Sequence, residues 1–276
     1  MILTSRSPSI SVDAGTDRGR RREKNEDSYN VVQLKNPLMN VTLVVVADGV
    51  GGLEAGELAS RIGSLTFSSD IIDSLIDARI KNLNINDIDI VNFIYQAVND
   101  ANSKIRNALS NAGTTLVAAL MIPAEHQVLT YIINVGDSRA YLIDKESWEI
   151  YQLTRDHSVA WADFEEKELK KFWSKSVDGH ELAQVKFNYI KTHPRAHMIT
   201  NVVGYYGKVG GIEIIKIGLD RKDRLLLCTD GLTDMLNDYE IVNIMKESED
   251  PVGKLIEKAN ERGGEDNITI TIIDII

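Results

Sequence analysis

The sequence predicts an α+β fold, a central antiparallel β-sandwich flanked by helix pairs on both outer faces. Three observations carry that expectation. Residues 116–153 hold four strand-like runs joined by short turns, which marks an antiparallel meander. Helical patterns fall in two separate pairs, one before the meander and one after residue 229, instead of alternating with each strand as a parallel sheet requires. Val41-Thr42-Leu43-Val44-Val45-Val46-Ala47 is apolar on both faces, so it belongs inside a stack of layers.

In chain order, the residues through Pro8 read as a loose tail, a strand begins over 10–12, and 15–27 is polar. The apolar strand over 41–47 stops at Asp48, and Gly49-Val50-Gly51-Gly52 supplies a sharp turn that brings backbone close to a neighbour. A helix over about 54–68 follows, with Leu58, Ile62 and Leu65 on one face. A second, over 91–109, sets Val91, Ile94, Tyr95, Val98, Ala101, Ile105 and Leu109 at the i, i+3, i+4, i+7 spacing of a core stripe. Gly113-Thr114-Thr115 opens the meander, with strands over 116–122, 128–135, 139–143 and 148–153. The least regular stretch is 156–198. It holds a helical segment whose aromatics (Trp161, Phe164, Phe172, Trp173) are assigned to packing, with Glu166 and Lys170 spaced i, i+4. Strands return over 212–217 and 224–229. Two helices follow, the second with Asp250 as N-cap, Pro251 at its first position and Gly263 at its end. A strand over 268–276 closes the chain. No repeat or linker interrupts it, so residues 1–276 read as one domain.

Composition narrows the function. A formal net charge of −10 argues against nucleic acid or an anionic membrane as partner. Cys228 is the lone cysteine, which excludes an intrachain disulfide and fits a reducing compartment. Neither a signal-peptide-like stretch nor a membrane-spanning run is present, so the cytoplasm is the expected location and a monomer the expected state.

Carboxylates recur at strand edges: Asp48-Gly49, Gly136-Asp137, Asp230-Gly231, and Asp266 just before the last strand. One aspartate-glycine is an ordinary turn. Four such edges are better explained by convergence on one site. Clustered carboxylates repel, so either some hold protons or cations sit among them. Oxygen donors without histidine or cysteine favour Mg²⁺ or Mn²⁺ over zinc, and the Gly49 carbonyl adds a further oxygen. Two ions roughly 3.5–4 Å apart, bridged by Asp48, would activate a water and hold phosphoryl oxygens for in-line attack. Arg22, just before Asn25-Glu26-Asp27, offers the bidentate guanidinium that phosphate binding needs.

These residues in this order resemble the metal-dependent protein serine/threonine phosphatases of the PP2C (PPM) family, bacterial type. The resemblance rests on Arg22-x-x-Asn25-Glu26-Asp27, Asp48-Gly49-x-Gly51-Gly52, Gly113-Thr114-Thr115, Asn134-Val135-Gly136-Asp137-Ser138-Arg139, Leu153-Thr154-Arg155-Asp156-His157-Ser158, Thr229-Asp230-Gly231 and Asp266-Asn267. It implies a PP2C-like αββα sandwich that hydrolyses phosphoserine and phosphothreonine on proteins, by direct attack of a metal-bridging water. It also implies that Asp48, Asp230 and Asp266 ligate one ion, and that Asp48, the Gly49 carbonyl, Glu26 and Asp27 ligate a second. Asp137 with Asp230 would hold a weaker third. Arg22 would bind the substrate phosphate, and Arg22, Asp48 and Asp230 would carry catalysis. The implied partners are phosphoproteins modified by a Ser/Thr kinase.

The chain departs from the family pattern in three places. Val50 stands where many eukaryotic members have a histidine proposed as general acid, leaving a metal-bound water or Asp137 with a third ion to supply the proton. Asn201 stands where many relatives have an arginine. The flap at about 156–198 carries the aromatic helix in place of the usual glycine-containing pattern. These departures leave two alternatives open: a catalytically impaired PP2C-like binding module, or a phosphatase dedicated to one regulatory phosphoprotein.

Other motifs fall away. Cys228 lacks the arginine six positions on that a cysteine phosphatase needs, since Asp234 is there, so it is assigned to the core. His193 and His197 are spaced i, i+4, but Pro194 follows where a zinc hydrolase has glutamate, so they are given a flap or structural role. Gly49-Val50-Gly51-Gly52 lacks the Gly-Lys-Ser/Thr of a P-loop.

Overall fold

The computed structural model describes residues 8–36, 39–51, 55–83, 90–170, 179–205 and 207–276. Twelve described strands form two five-stranded antiparallel sheets and one short pair. In one sheet β1 (Ile10–Asp17) pairs with β12 (Ile268–Ile275), followed by β11 (Asp223–Cys228), β8 (Arg139–Asp144) and β9 (Ile150–Gln152). The other runs β10 (Glu213–Leu219), β7 (Val128–Val135), β6 (Leu116–Pro123), β3 (Met39–Ala47) and β2 (Ser28–Asn36). β4 (Gly49–Val50) pairs with β5 (Gly113–Thr114).

Three apolar clusters define four layers. Val44, Val46, Val117 and Ile132 meet Leu225, Leu227 and Ile273 between the sheets. Val41, Leu43 and Val45, on the opposite face of β3, pack with Phe67 and Ile71 of α1 (Ala55–Ile80) and Ile94 and Val98 of α2 (Ile90–Ala108). Leu226, Ile270 and Ile272 pack beneath Ile241 and Leu255. Their helices are α6 (Asp238–Glu247) and α7 (Pro251–Glu261), preceded by the short α5 (Asp230–Thr233) and by two flap helices, α3 (Val159–Phe164) and α4 (Gly179–Thr192). The expected sandwich is present, and β3 is buried on both faces as its composition requires.

Several boundaries differ. The strand over 28–36 is missing from the sequence reading because β2 is an edge strand with only partial burial and no apolar run. α1 continues to Ile80, and its buried face is the small one. Gly56, Ala59 and Gly63 are buried with Phe67 and Ile71, while Leu58 and Leu65 are exposed, against expectation. On α2, Ile94, Val98, Ala101 and Ile105 are core, but Val91 and Tyr95 face outward. Trp148 adopts φ 59° at a turn, which trims the expected strand over 148–153 to Ile150–Gln152. In the flap, α3 runs into a π-helical turn over Glu165–Leu169, and Asp163 pairs with Lys167 (2.7 Å), one turn earlier than the Glu166/Lys170 spacing suggests. Phe172, Trp173, Gly52 and Glu54 lie outside the described residues. The α7 start is as expected: the Asp250 carboxylate accepts from the Gly253 N–H (3.0 Å) ahead of Pro251. Among the described residues, no helix is long and apolar enough to cross a membrane.

Candidate active site

Strand pairing alone brings the carboxylates to one end of the sandwich. Asp48 follows β3, Asp137 follows β7 and Asp230 follows β11, while Asp27 precedes β2 and Asp266 precedes β12. β2 is antiparallel to β3, and β12 to β11, so starts and ends coincide.

Short polar side chains fix each one. The Asp48 N–H donates to Thr115 Oγ1 (2.9 Å), and its carbonyl accepts from the Thr115 N–H (2.9 Å) and Thr114 Oγ1 (2.8 Å). Thr115 Oγ1 also bonds Ser138 Oγ (2.8 Å), beside Asp137. That is the work of the Gly113-Thr114-Thr115 motif. Thr229 Oγ1 donates to Asp27 Oδ2 (2.9 Å) and accepts from the Thr269 N–H (2.9 Å). Asn267 Oδ1 accepts from the Glu26 N–H, and its amide donates to the carbonyls of Arg18 and Lys24, all at 2.8 Å. Gly231 is needed for fit, because a Cβ there would stand 2.0 Å from the Asn267 carbonyl oxygen.

Glu26 and Gly49 meet at a corner over the first turn of α1. A Cβ on Gly56 would stand 2.8 Å from Glu26 Oε1 and 3.0 Å from the Gly49 carbonyl oxygen, so both oxygens face the small space that glycine leaves. Arg22 reaches across from its exposed loop, its Nη2 donating to Asp266 Oδ2 at 2.5 Å. Burial alone would lower the Arg22 pKa, but the charges of Asp266, Asp230 and Asp48 outweigh it and raise it.

The cluster carries more negative charge than its surroundings stabilise. Burial, opposed by hydrogen bonds from Thr269 and Thr229, lifts Asp27 to about 7. Burial and the charges of Asp156 and Asp234 lift Asp137 to about 7. Asp48 is pushed up by burial, then by Asp27 and Asp137, and Asp230 by burial, then by Asp48 and Asp234. Burial also raises Glu26. Asp27 Oδ1, Asp137 Oδ1 and Asp230 Oδ1 are buried without a hydrogen-bond donor. A buried carboxylate oxygen without a donor is costly, and a hard cation is the partner that would satisfy it. Among the described residues, no three acidic, histidine or cysteine side chains close on one point as a finished coordination shell.

The structure therefore gathers Arg22, Glu26, Asp27, Asp48, Gly49, Asp137, Asp230 and Asp266 at one end of the molecule. It adds two residues the sequence reading passed over. Gly56 was hidden as an ordinary helix-start glycine. Asp234, lifted to about 6 by burial, lies one helical turn after Asp230 and raises the pKa of both Asp137 and Asp230. Its i, i+4 spacing from Asp230 was the available signal. Asn201 is buried and turned inward, its Oδ1 accepting from the Gly210 N–H (2.9 Å) and its amide donating to the Gly211 carbonyl (2.5 Å), so it shapes a loop. His157 Nδ1 accepts the Gly136 N–H (3.1 Å), and burial lowers its pKa.

Comparison with known proteins agrees with this geometry. A serine/threonine phosphatase Stp of Listeria welshimeri is 36% identical over 273 residues, covering 94% of this chain and 93% of its own. The solved serine/threonine phosphatase of S. agalactiae superposes with a TM-score of 0.74 at 26% identity, over 97% of this chain and 100% of that one. The catalytic domain of the serine threonine protein phosphatase PstP, solved in complex with two manganese ions, superposes with a TM-score of 0.65 at 26% identity, over 97% and 98%. The sequence model of the Protein phosphatase 2C family matches residues 14–264, and with the sandwich and its carboxylate end in place, the chain belongs to that family.

Proposed function

We propose that this chain hydrolyses phosphoserine and phosphothreonine esters on proteins, with Mn²⁺ or Mg²⁺ held by its carboxylate cluster. The carrying observation is the set of three buried, donorless oxygens of Asp27, Asp137 and Asp230, with a guanidinium at the rim. Asp48, Asp230 and Asp266 would hold one ion; Asp48, Glu26, Asp27 and the Gly49 carbonyl a second; Asp137 and Asp230 a weaker third. Divalent cations held there would supply charge to offset the phosphoryl oxygens and would lower the pKa of water so that hydroxide is available to attack phosphorus. Arg22 grips the phosphate through its guanidinium fork, which without substrate rests on Asp266. Asp48 is kept in register by Thr114 and Thr115, and Asp27 by Thr229. Val50 offers no proton; Asp137, raised to about 7, would give one to the leaving alkoxide only while its Oδ1 is not engaged by the third ion, and otherwise water acidified at the cations would supply it.

The substrates in this reading are targets of a Ser/Thr kinase in the cytoplasm. No observation favours an impaired binding module, because every carboxylate of the cluster is retained. The test is turnover of p-nitrophenyl phosphate and a phosphothreonine peptide in Mn²⁺, with and without chelator. The reading expects activity that chelator abolishes. It expects Asp230→Asn to lose more than the roughly 10–100-fold that an outer partner of a metal ligand costs. Metal-independent turnover, or full activity in that variant, would overturn it.

A further inference from the structure

Beneath the flap lies a network of buried charges that the carboxylate site does not use. Lys186 of α4 is nearly enclosed, its side chain 11% exposed. Its ammonium donates to the Asp238 carboxylate at the start of α6 and to Gln152 Oε1 of β9 (3.0 Å). It also stands 5.9 Å over the Trp161 ring of α3. Tyr141 Oη donates to the other Asp238 oxygen (3.1 Å), and Arg139 Nη1 donates to Tyr141 Oη (3.2 Å). Arg139 forks onto Asp156 through Nε to Oδ1 (2.9 Å) and Nη2 to Oδ2 (2.6 Å). Gln152 Nε2 closes the ring on Asp156 Oδ1 (3.0 Å). Five residues after Lys186, Lys191 Nζ donates to the Asp234 carbonyl (3.1 Å), on the turn that follows Asp230.

A lysine is buried at a cost unless each proton finds an acceptor, and removing one partner of a buried ion pair leaves the other charge uncompensated. Here the contacts tie α4 to β9 and α6, with Trp161 of α3 against the same ammonium. Beside the flap opens a cleft of about 450 Å³. Asp156, His157, Ser158 and Ala162 line it from the flap and Glu213 from the start of β10, with Thr200 also on its lining. The His157 N–H donates to the Gly136 carbonyl (2.9 Å), so the cleft adjoins the turn that carries Asp137.

We propose that Lys186 is a positioning residue that clamps the flap as one wall of this cleft, and that the cleft takes the polypeptide flanking the phosphorylated residue. The proposal rests on the phosphatase reading above. A small aryl phosphate reaches the carboxylates without the cleft, whereas a phosphopeptide does not. Kinetic constants in Mn²⁺ would be compared for p-nitrophenyl phosphate and a phosphothreonine peptide in the wild type, Lys186→Met, Lys186→Arg and Asp238→Asn, alongside limited proteolysis and thermal melting. The expected result for Lys186→Met is a peptide KM raised about tenfold, with p-nitrophenyl phosphate constants within about twofold of wild type. Cleavage within 156–198 should accelerate. Asp238→Asn should behave like Lys186→Met, and Lys186→Arg should restore the peptide KM. If Lys186→Met melts below the assay temperature, the split is read on Asp238→Asn. An unchanged peptide KM and proteolysis rate, or an equal fall in kcat on both substrates, would overturn the clamp. An inactive wild type would instead strike the phosphatase reading, so the two failures are separable.

Discussion

Asn267 shows how much one buried amide can hold. It is 3% exposed, and all three of its side-chain bonds run to the backbone of the 18–27 loop. That loop carries Arg22, Glu26 and Asp27, so one side chain orders a phosphate-binding group and two candidate ligands together. Asn267→Ala leaves a buried N–H and two carbonyls to find water, at a cost of about 1–3 kcal/mol. The expected outcome is a lower urea midpoint in chelator and an Mn²⁺ affinity reduced about tenfold by calorimetry. A wild-type midpoint and isotherm would show that the loop orders itself. The sequence named Asn267 only as half of a motif, because an amide gives no sign of its acceptors until the chain closes. Cys228 was the opposite case. An apolar strand around a thiol with no arginine partner was enough to place it in the core, where it is fully buried.

At the scale of elements, α1 explains why hydrophobic pattern misjudged a face. Leu58 and Leu65 are 45% and 50% exposed, while Gly56, Ala59 and Gly63 are buried. Close approach, not apolarity, decides which side of this helix faces the sheet. A Cβ on Gly63 would already stand 2.7 Å from Thr114 Cγ2. Size selection of this kind is invisible to a periodicity argument, which counts leucine above glycine. Gly56 gives the sharpest test, because two effects of Gly56→Ala have opposite signs. Alanine favours the helix by up to about 1 kcal/mol, yet its Cβ would crowd Glu26 Oε1 and the Gly49 carbonyl. The variant should melt no lower than wild type in chelator, while Mn²⁺ affinity falls about tenfold. Unchanged Mn²⁺ titration in a normally folded Gly56→Ala protein would remove Glu26 and Gly49 from the ligand set.

For the whole molecule, the legible part was the layering and the strand edges; the strand order was not. Nothing in residues 10–17 announces that β1 pairs with β12 from the far end of the chain. Yet carboxylates at the starts or ends of β2, β3, β7, β11 and β12 can meet only if those ends share one rim, and the pairing makes them do so. The fold thus concentrates negative charge that it leaves without enough internal donors, and this has a consequence for stability. In protein stripped of cations, Asp27 and Asp137 stand at about 7 and Asp234 at about 6, all raised from an ordinary 3.8. A carboxyl whose folded pKa is raised binds more protons folded than unfolded, so stability falls as pH climbs from near 4 through about 7. Cations reverse that penalty by replacing the protons, and they stabilise in proportion to the logarithm of their concentration over Kd. The chelated protein should therefore melt at a lower temperature at pH 8 than at pH 5.5, and added Mn²⁺ should raise Tm more at pH 8 than at pH 5.5. Scanning calorimetry in matched buffers reads both slopes. A chelated Tm that rises toward pH 8, or an Mn²⁺ increment that is larger in acid, would mean that the rim is not a cage of mutually repelling carboxylates waiting for dications.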